Sequence, residues 1–399
     1  MKKILIWDVS FKLANVGGPT GYLYNIHEYL KENPCEQIVF LSDLLPSCEC
    51  QTASAKMKLK QRLLSNRFIG RLNDFLFVLW KDYHDSNLKL PKNVNLNEFD
   101  YIHFHQANDV RRFAKFLRNY KGKTIVTTHC PCPRTDELLT LKPKWYSFFR
   151  YWIIKQECKC YEKADYLMFP CEGSREPYEK NKMIKKIFAN SEKKFFYVPS
   201  AIMDINIDQK KMQKYSDLGI PDNSFVITYF GRHNKIKGYD ILKTVCKPLL
   251  DKYPNLYVLC AGRGPIEPLK HPHWIELGFV NNTHELLFQS DLYVLPNRET
   301  YFDLVVLEIL RSGTIVFLSA NGGNNYFGHY TENQRKGISF IDVENVKEIS
   351  EKIEKMISLK RNDKKEFIAC GESNRKLWEM DFQMPCYVNR YKKMVSSLK

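Results

Sequence analysis

Twelve short runs rich in β-branched and aromatic residues alternate with stretches of helical patterning, and that alternation restricts the chain to parallel α/β layers. In the first half the runs are KILIWDV (3–9), QIVFLS (37–42), YIHFH (101–105), TIVTTH (124–129), YLMFP (166–170) and FFYVPS (195–200). In the second half they are FVITYFG (225–231), LYVLCAG (256–262), IELGFV (275–280), LYVLP (292–296), IVFLS (315–319) and GISFI (337–341). A length of 399 residues suits two domains, each large enough for its own core. The pattern predicts two doubly wound domains in tandem, with a seam near 200–215.

In open α/β sheets, ligands gather at the carboxyl ends of the strands, so the loops that follow the runs are where chemistry is expected. After the first run comes NVGGPTGY (15–22), a glycine turn opening into a helix. Gly17 and Gly18 leave backbone N–H groups uncovered for a phosphate or sugar. The stretch lacks both the G-x-G-x-x-G and the Walker patterns, and a plain turn fits it equally well. His129 ends the fourth run, where an imidazole can hydrogen-bond a substrate or stabilise charge, or else serve the fold through a backbone bond. His103 and His105 alternate on one face of their run, which favours a structural role for the pair. GRHNKIKG (231–238) sets Arg232 and Lys237 between a strand and a helix. Two cations beside a helix N-terminus suit a diphosphate, because charge-assisted bonds and backbone N–H groups converge there. GRGP (262–265), beginning at Gly262, follows the next strand.

The stretch LPNRETYFDLVVLEILRSG (295–313) carries two acids in different settings. Glu308 lies in an apolar helix, flanked by apolar neighbours in every helical direction except toward Tyr301, Arg311 and Ser312. A buried carboxylate is costly unless it is satisfied. A ribose diol would donate two hydrogen bonds to it; an intrahelical pair with Arg311 on an exposed rim is the alternative. Asp303 is placed to cap this helix and leave its first N–H groups aimed at an anion. Glu299 stands at the helix entrance.

The formal net charge is +16, and it is unevenly placed. Residues 1–200 carry 33 Lys and Arg against 21 Asp and Glu, whereas the remainder carries 28 against 24. Segments 56–81 and 142–159 combine this charge with Trp, Phe and Leu, as helices that lie on an anionic membrane surface do. Ordinary amphipathic helices with solvated lysines are the alternative. No nucleic-acid module is recognisable, so nucleic acid is not expected as a partner. No run of eighteen apolar residues predicts a membrane span, and the N-terminal apolar run breaks at Asp8, too short for a signal peptide. The expected location is cytoplasmic, peripheral on the inner face of the cell membrane. The twelve cysteines are expected to be reduced. The C-x-C spacings at Cys48 and Cys50, Cys130 and Cys132, and Cys158 and Cys160 are not those of common zinc sites, so no metal is expected.

Taken together, GRHNKIKG, LCAGRGP, LGFV and SDLYVLPNRETYFDLVVLEILRSG resemble the retaining nucleotide-sugar glycosyltransferases of family 4, of the bacterial surface-polysaccharide type. GGPTGY and VTTH in the first half are similar to the family as well, less specifically. The resemblance implies the GT-B fold: two Rossmann-like doubly wound domains facing each other across a cleft. It implies an acceptor-binding domain over 1–205, a nucleotide-sugar-binding domain over 206–379, and a C-terminal helix (380–399) packing back on the first domain. It further implies hexosyl transfer from a nucleotide-diphosphate sugar, a UDP-sugar ahead of a GDP-sugar, to a hydroxyl of a lipid-linked or growing glycan, in capsule or lipopolysaccharide assembly. Anomeric configuration would be retained, with no divalent metal and no further cofactor. By the same resemblance Arg232 and Lys237 hold the diphosphate and Glu308 the ribose. Backbone at Phe279 and Val280 meets the base, and backbone N–H groups from Phe302 through Asp303 and Leu304 to Val305 face the donor. His129 and the Gly17–Gly18 turn approach from the first domain. One departure stands out: eight positions before Glu308 lies Thr300, not the acid that usually contacts the donor sugar, and Glu299 is one residue early. Asp303 likewise stands where the family often has glycine. Two other readings fit the same residues: a catalytically inactive nucleotide-sugar-binding subunit, and a transferase for a soluble acceptor.

Overall fold

The structure, a computed structural model, describes residues 2–14, 18–46, 88, 90–141, 148–191, 194–208 and 212–398. All twelve runs form strands. β1 (Ile4–Trp7), β2 (Ile38–Phe40), β3 (Tyr101–Phe104), β4 (Lys123–Thr127), β5 (Tyr166–Phe169) and β6 (Phe195–Tyr197) make one sheet in the order β2-β1-β3-β4-β5-β6. β7 (Phe225–Phe230), β8 (Leu256–Ala261), β9 (Trp274–Glu276), β10 (Leu292–Leu295), β11 (Ile315–Ser319) and β12 (Ile338–Ile341) make the other, in the order β12-β11-β10-β7-β8-β9. Every pairing within the two sheets is parallel.

The longer helices of the first half are α1 (Gly18–Glu32), α2 (Arg134–Leu141), α3 (Arg150–Lys163) and α4 (Lys182–Ala189). Those of the second are α5 (Tyr239–Lys252), α6 (Thr283–Phe288), α7 (Leu304–Ser312), α8 (Val346–Asn362) and α9 (Lys364–Asp381), followed by α10 (Met384–Ser397). The chain divides into two compact units. One comprises Met1–Phe169, Pro177–Val198 and Arg390–Lys399; the other comprises Pro170–Glu176 and Pro199–Asn389.

Parallel strands need cover on both faces, which is why the runs read as continuous apolar stretches rather than alternating ones. In the second unit Ile227, Val258, Val294 and Phe317 are buried against Leu242, Val245 and Cys246 of α5 and Ile349 and Ile353 of α8. Val226 and Leu259 point to the other face, against Tyr215, Ile220 and Leu286. The strand order reverses between β7 and β10, which pair directly at Leu292 with Ile227 and at Tyr293 with Thr228. In the first unit the reversal falls between β1 and β3, paired from Ile4 with Tyr101 to Trp7 with Phe104. Loops at the carboxyl ends of strands beside such a reversal diverge and leave a crevice, the usual ligand position in open sheets.

The loop after β10 is held by direct backbone contact. Gly322 and Gly323 open a 3-10 turn, Gly322–His329, that lies against residues 300–301. A Cβ at Gly323 would sit 1.7 Å from the carbonyl oxygen of Tyr301, so only glycine fits there without movement. Gly323→Ala is expected to destabilise this unit by about 1–3 kcal/mol, read as a lower urea midpoint. A midpoint equal to wild type would show that the contact is not tight in solution.

Candidate functional site

In the second unit the chemistry gathers where β7 and β10 end. Gly238 occupies the left-handed region (φ +67°) at the start of α5. A Cβ there would lie 1.9 Å from the Pro296 carbonyl oxygen, so the loops after β7 and β10 touch backbone to backbone. Gly262, after β8, approaches Gly231 as closely: its Cβ would be 1.9 Å from the Gly231 carbonyl oxygen. The Tyr229 hydroxyl reaches the carbonyl oxygens of Arg232 at 2.9 Å and Lys237 at 3.2 Å, bracketing the loop from beneath. Arg298 secures it from the β10 side. Its guanidinium donates to the Lys235 carbonyl at 2.6 Å and to both Asp240 carboxylate oxygens at 2.9 Å, and its N–H donates to Ile236 O at 2.8 Å.

This frame presents the two predicted cations differently. Arg232 is exposed, and its guanidinium has no ion-pair partner among the described residues. The Lys237 ammonium lies 3.1 and 3.0 Å from the two carboxylate oxygens of Asp303, which also accepts from the Asn297 amide at 2.6 Å. The expectation that Asp303 caps α7 therefore needs correcting. Its backbone holds the cap position, but its side chain makes no cap hydrogen bond, because Lys237 and Asn297 take it. Leu304 and Val305 thus begin α7 without a side-chain cap, the state in which a helix N-terminus attracts anions.

Glu308, one turn further along α7, opens onto a pocket of 330 Å³ with Asp204, His284, Phe288, Arg311 and Arg375 around it. Its carboxylate has no hydrogen-bond partner among the described residues. The intrahelical pair with Arg311 is not formed: the Arg311 guanidinium donates to the Met203 carbonyl at 2.6 Å, and no contact with Glu308 reaches ion-pair distance. Burial raises the Glu308 carboxyl above its ordinary value, while the charge of Arg311 draws it partly back. Arg375 closes the pocket wall through Asp204 at 2.8 Å and the Arg311 carbonyl at 2.9 Å.

Three further sequence candidates take other roles. Thr300, expected to face the donor, is fully buried, and its hydroxyl donates to the Asn321 carbonyl at 2.7 Å. It ties the loop together and offers no side-chain atom to a ligand in this structure. Phe302 is buried among Tyr326, Phe327 and Phe382, leaving only its backbone available to a ligand. Glu299 is half-buried at the loop surface. Phe279 is 71% exposed beyond β9, and Val280 packs on the Tyr215–Leu286 cluster. Arg298 escaped the sequence reading because its partner Asp240 lies far away in the chain; a lone arginine three residues past the end of β10 was the available signal.

In the first unit, His129 lies just past β4, beside the start of α1. Gly18 begins that helix with φ +76°, and the Tyr22 ring stands 4.8 Å from the His129 ring. Gly17, segment 56–81, residues 142–147 and the Cys48–Cys50 pair lie outside the described residues. His129 Nε2 contacts His105 Nδ1 at 3.0 Å, and the His105 ring lies 4.1 Å from that of His103. His103 bonds the Tyr391 hydroxyl of α10 at 2.6 Å and the Thr127 hydroxyl at 2.8 Å. Burial pushes His103 and His129 down to about 3 and His105 well below its ordinary value, so all three rings stay neutral. None of the described cysteines is in a disulfide, and among the described residues no group of three His, Cys, Asp or Glu could hold a metal ion.

Residues 224–359, which contain the loops after β7, β8 and β10, match the family Glycosyl transferases group 1. An uncharacterized 41.2 kDa protein in the cps region of Klebsiella pneumoniae is 25% identical over 229 residues, 55% of this chain and 60% of the relative. A glycogen synthase of Clostridium kluyveri is 29% identical over 126 residues, 29% of this chain and 26% of the relative. These matches span 60% or less of the relatives' lengths. Among solved structures, sucrose-phosphate synthase from Thermosynechococcus elongatus aligns with a TM-score of 0.61 at 12% identity, covering 98% of both chains. Anabaena HepE in complex with UDP aligns at 0.58 and 13%, covering 100% of both. The fold is GT-B, built from two parallel Rossmann-like sheets, and residues 224–359 are similar to Glycosyl transferases group 1.

The buried histidines give stability a pH dependence of defined sign. The unfolded chain protonates each imidazole near pH 6.5, whereas the folded protein holds His103 and His129 neutral down to about 3. Protons then bind the unfolded state preferentially, so this part of the stability is complete above 6.5 and is lost as the pH falls. Each imidazole contributes up to about 1.4 kcal/mol per pH unit within that window. Urea denaturation between pH 6.5 and 5 is expected to show a shallower loss in His129→Phe than in wild type. Equal slopes would place His129 in a protonatable setting.

Proposed function

We propose that this protein transfers a hexose from a nucleotide-diphosphate sugar, UDP-linked in the first instance, to a hydroxyl of a lipid-linked or growing surface glycan, with retention at the anomeric carbon. The observation that carries this reading is the cluster at the β7–β10 reversal: Asp303 brings Lys237 to the uncapped start of α7, and Arg232 stands exposed in the same loop as Lys237. A departing nucleoside diphosphate carries growing negative charge, and cations with a helix N-terminus stabilise that charge without a divalent metal. Lys237 is held ready by Asp303, and the β-phosphate would replace that carboxylate as its partner. Glu308 would accept the two ribose hydroxyls in its pocket. With the leaving phosphate kept on the acceptor's side of the sugar, its oxygen takes the acceptor proton and the new bond forms on the face from which the old one breaks. Anabaena HepE, of the same fold, is solved with UDP and with UDP-glucose, and the Klebsiella relative comes from a cps region, which supports a UDP-sugar and a surface glycan.

The acceptor's lipid is suggested by the start of α3. Phe148 is 86% exposed, Tyr151 68% and Trp152 38%, and Lys155 and Lys159 follow on the same helical face. Aromatic rings at one end with lysines along the face suit an anionic bilayer surface. Among the described residues no helix is long and apolar enough to cross a membrane.

Incubation with a panel of UDP- and GDP-sugars is expected to give transfer or slow donor hydrolysis with at least one UDP-hexose. Lys237→Ala should lower kcat/KM by about 100-fold. Tight UDP-sugar binding with no turnover would instead make this an inactive binding subunit. Wild-type protein is expected to sediment with vesicles of anionic phospholipid at low salt, and Phe148→Ala/Trp152→Ala to remain in the supernatant. An absence of wild-type binding at low salt would favour a soluble acceptor.

A further inference from the structure

The contact between His105 and His129 decides which atom His129 offers to a ligand. His105 Nδ1 and His129 Nε2 are 3.0 Å apart, so a single proton lies between them and the two tautomers are linked. In one arrangement His105 donates through Nδ1–H, leaving its own Nε2 bare and placing the His129 proton on Nδ1. In the other, His129 donates through Nε2–H, its Nδ1 is bare, and the His105 proton sits on Nε2.

The surroundings of His105 separate the two. Its Nε2 is buried and has no hydrogen-bond partner among the described residues. The first arrangement strands a lone pair there; the second strands an N–H. Buried donors without partners are rarer in folded proteins than under-satisfied acceptors, which favours the arrangement that strands the lone pair. The neighbours leave the choice to that atom. His103 is occupied by the hydroxyls of Tyr391 and Thr127 and only stacks on His105, and Tyr22 meets His129 through its ring. Burial keeps both imidazoles neutral, so no doubly protonated ring enters the comparison.

We propose that His105 is a positioning residue that fixes His129 as the Nδ1–H tautomer, making His129 a neutral hydrogen-bond donor and not a base. His129 Nδ1 has no partner among the described residues. The group it suits is an oxygen acceptor: a sugar hydroxyl, or an oxygen on which negative charge grows. The tautomer stands on the first unit's geometry alone, whereas its use in sugar transfer rests on the function proposed above.

The test is a long-range proton–nitrogen correlation spectrum of the full chain labelled with 15N-histidine, recorded without donor at pH 7.5. His129→Gln assigns the His129 signals. Wild type is expected to show His129 Nδ1 as the protonated nitrogen and Nε2 as the bare one. His105→Phe, which keeps the ring area and removes the donor, should move His129 to a mixed or Nε2–H population and lower kcat more than it changes KM. Nε2–H in the wild-type protein would overturn the proposal by itself, even if the variant failed to fold. An unchanged His129 tautomer in folded His105→Phe would overturn the positioning role. Failure to transfer any sugar, with the Nδ1–H signal present, would remove the proposed function and leave this assignment standing.

Discussion

The pairing of β7 with β10 is the contact on which the second unit's chemistry depends. These strands lie more than sixty residues apart in sequence, yet Leu292 and Tyr293 align with Ile227 and Thr228. That alignment delivers the loops 231–238 and 296–303 to one place, and Gly238 lets their backbones meet at Pro296. Once they meet, Arg298 can clamp the first loop and Asp303 can reach Lys237. None of these contacts exists without the strand reversal, where the following connections leave for opposite faces of the sheet and room for a ligand opens beside the meeting loops.

Asp303 gives the site its particular electrostatics. An uncapped helix N-terminus and a half-buried lysine together would present concentrated positive charge to solvent. A carboxylate at the cap position neutralises both while leaving the first N–H groups unbonded by side chains. Where a glycine would leave the ammonium to water, this chain keeps it oriented by the two carboxylate oxygens of Asp303, which the Asn297 amide holds in turn. Thr300 has a separate task. Its hydroxyl holds the loop to Asn321, and the buried position has no room for a solvated acid.

What was readable in the sequence was what local pattern encodes. Continuous β-rich runs became twelve strands because parallel strands must be apolar on both faces. Glycines beside cations at strand ends marked the loops after β7 and β8. Glu308 stood out because a carboxylate among leucines and valines is expensive without a partner, and the structure opens it onto a pocket. The reading failed where the outcome depended on which distant group lay nearest. Asp303 looked like a helix cap, but Lys237, from another strand's loop, competes for it with full charge, and a charge-assisted pair outbids a backbone N–H. The alternative partner for Glu308, Arg311, is likewise lost to a distant group, the Met203 carbonyl.

The histidines show the same division in the first unit. Alternation on YIHFH put His103 and His105 on one face and favoured a structural role for the pair, and the structure buries both. Only the tertiary structure decided that His105 would reach His129 while His103 turned to Tyr391, because that choice depends on the register of β3 against β4 and on where α10 returns. Sequence alone thus determined the layers, the strands and the loops that carry charge, since these follow from periodicity and local sterics. Which side chains pair, which stay available and which nitrogen bears a proton came from the fold, since hydrogen bonds are set within a few tenths of an ångström by groups far apart in the chain.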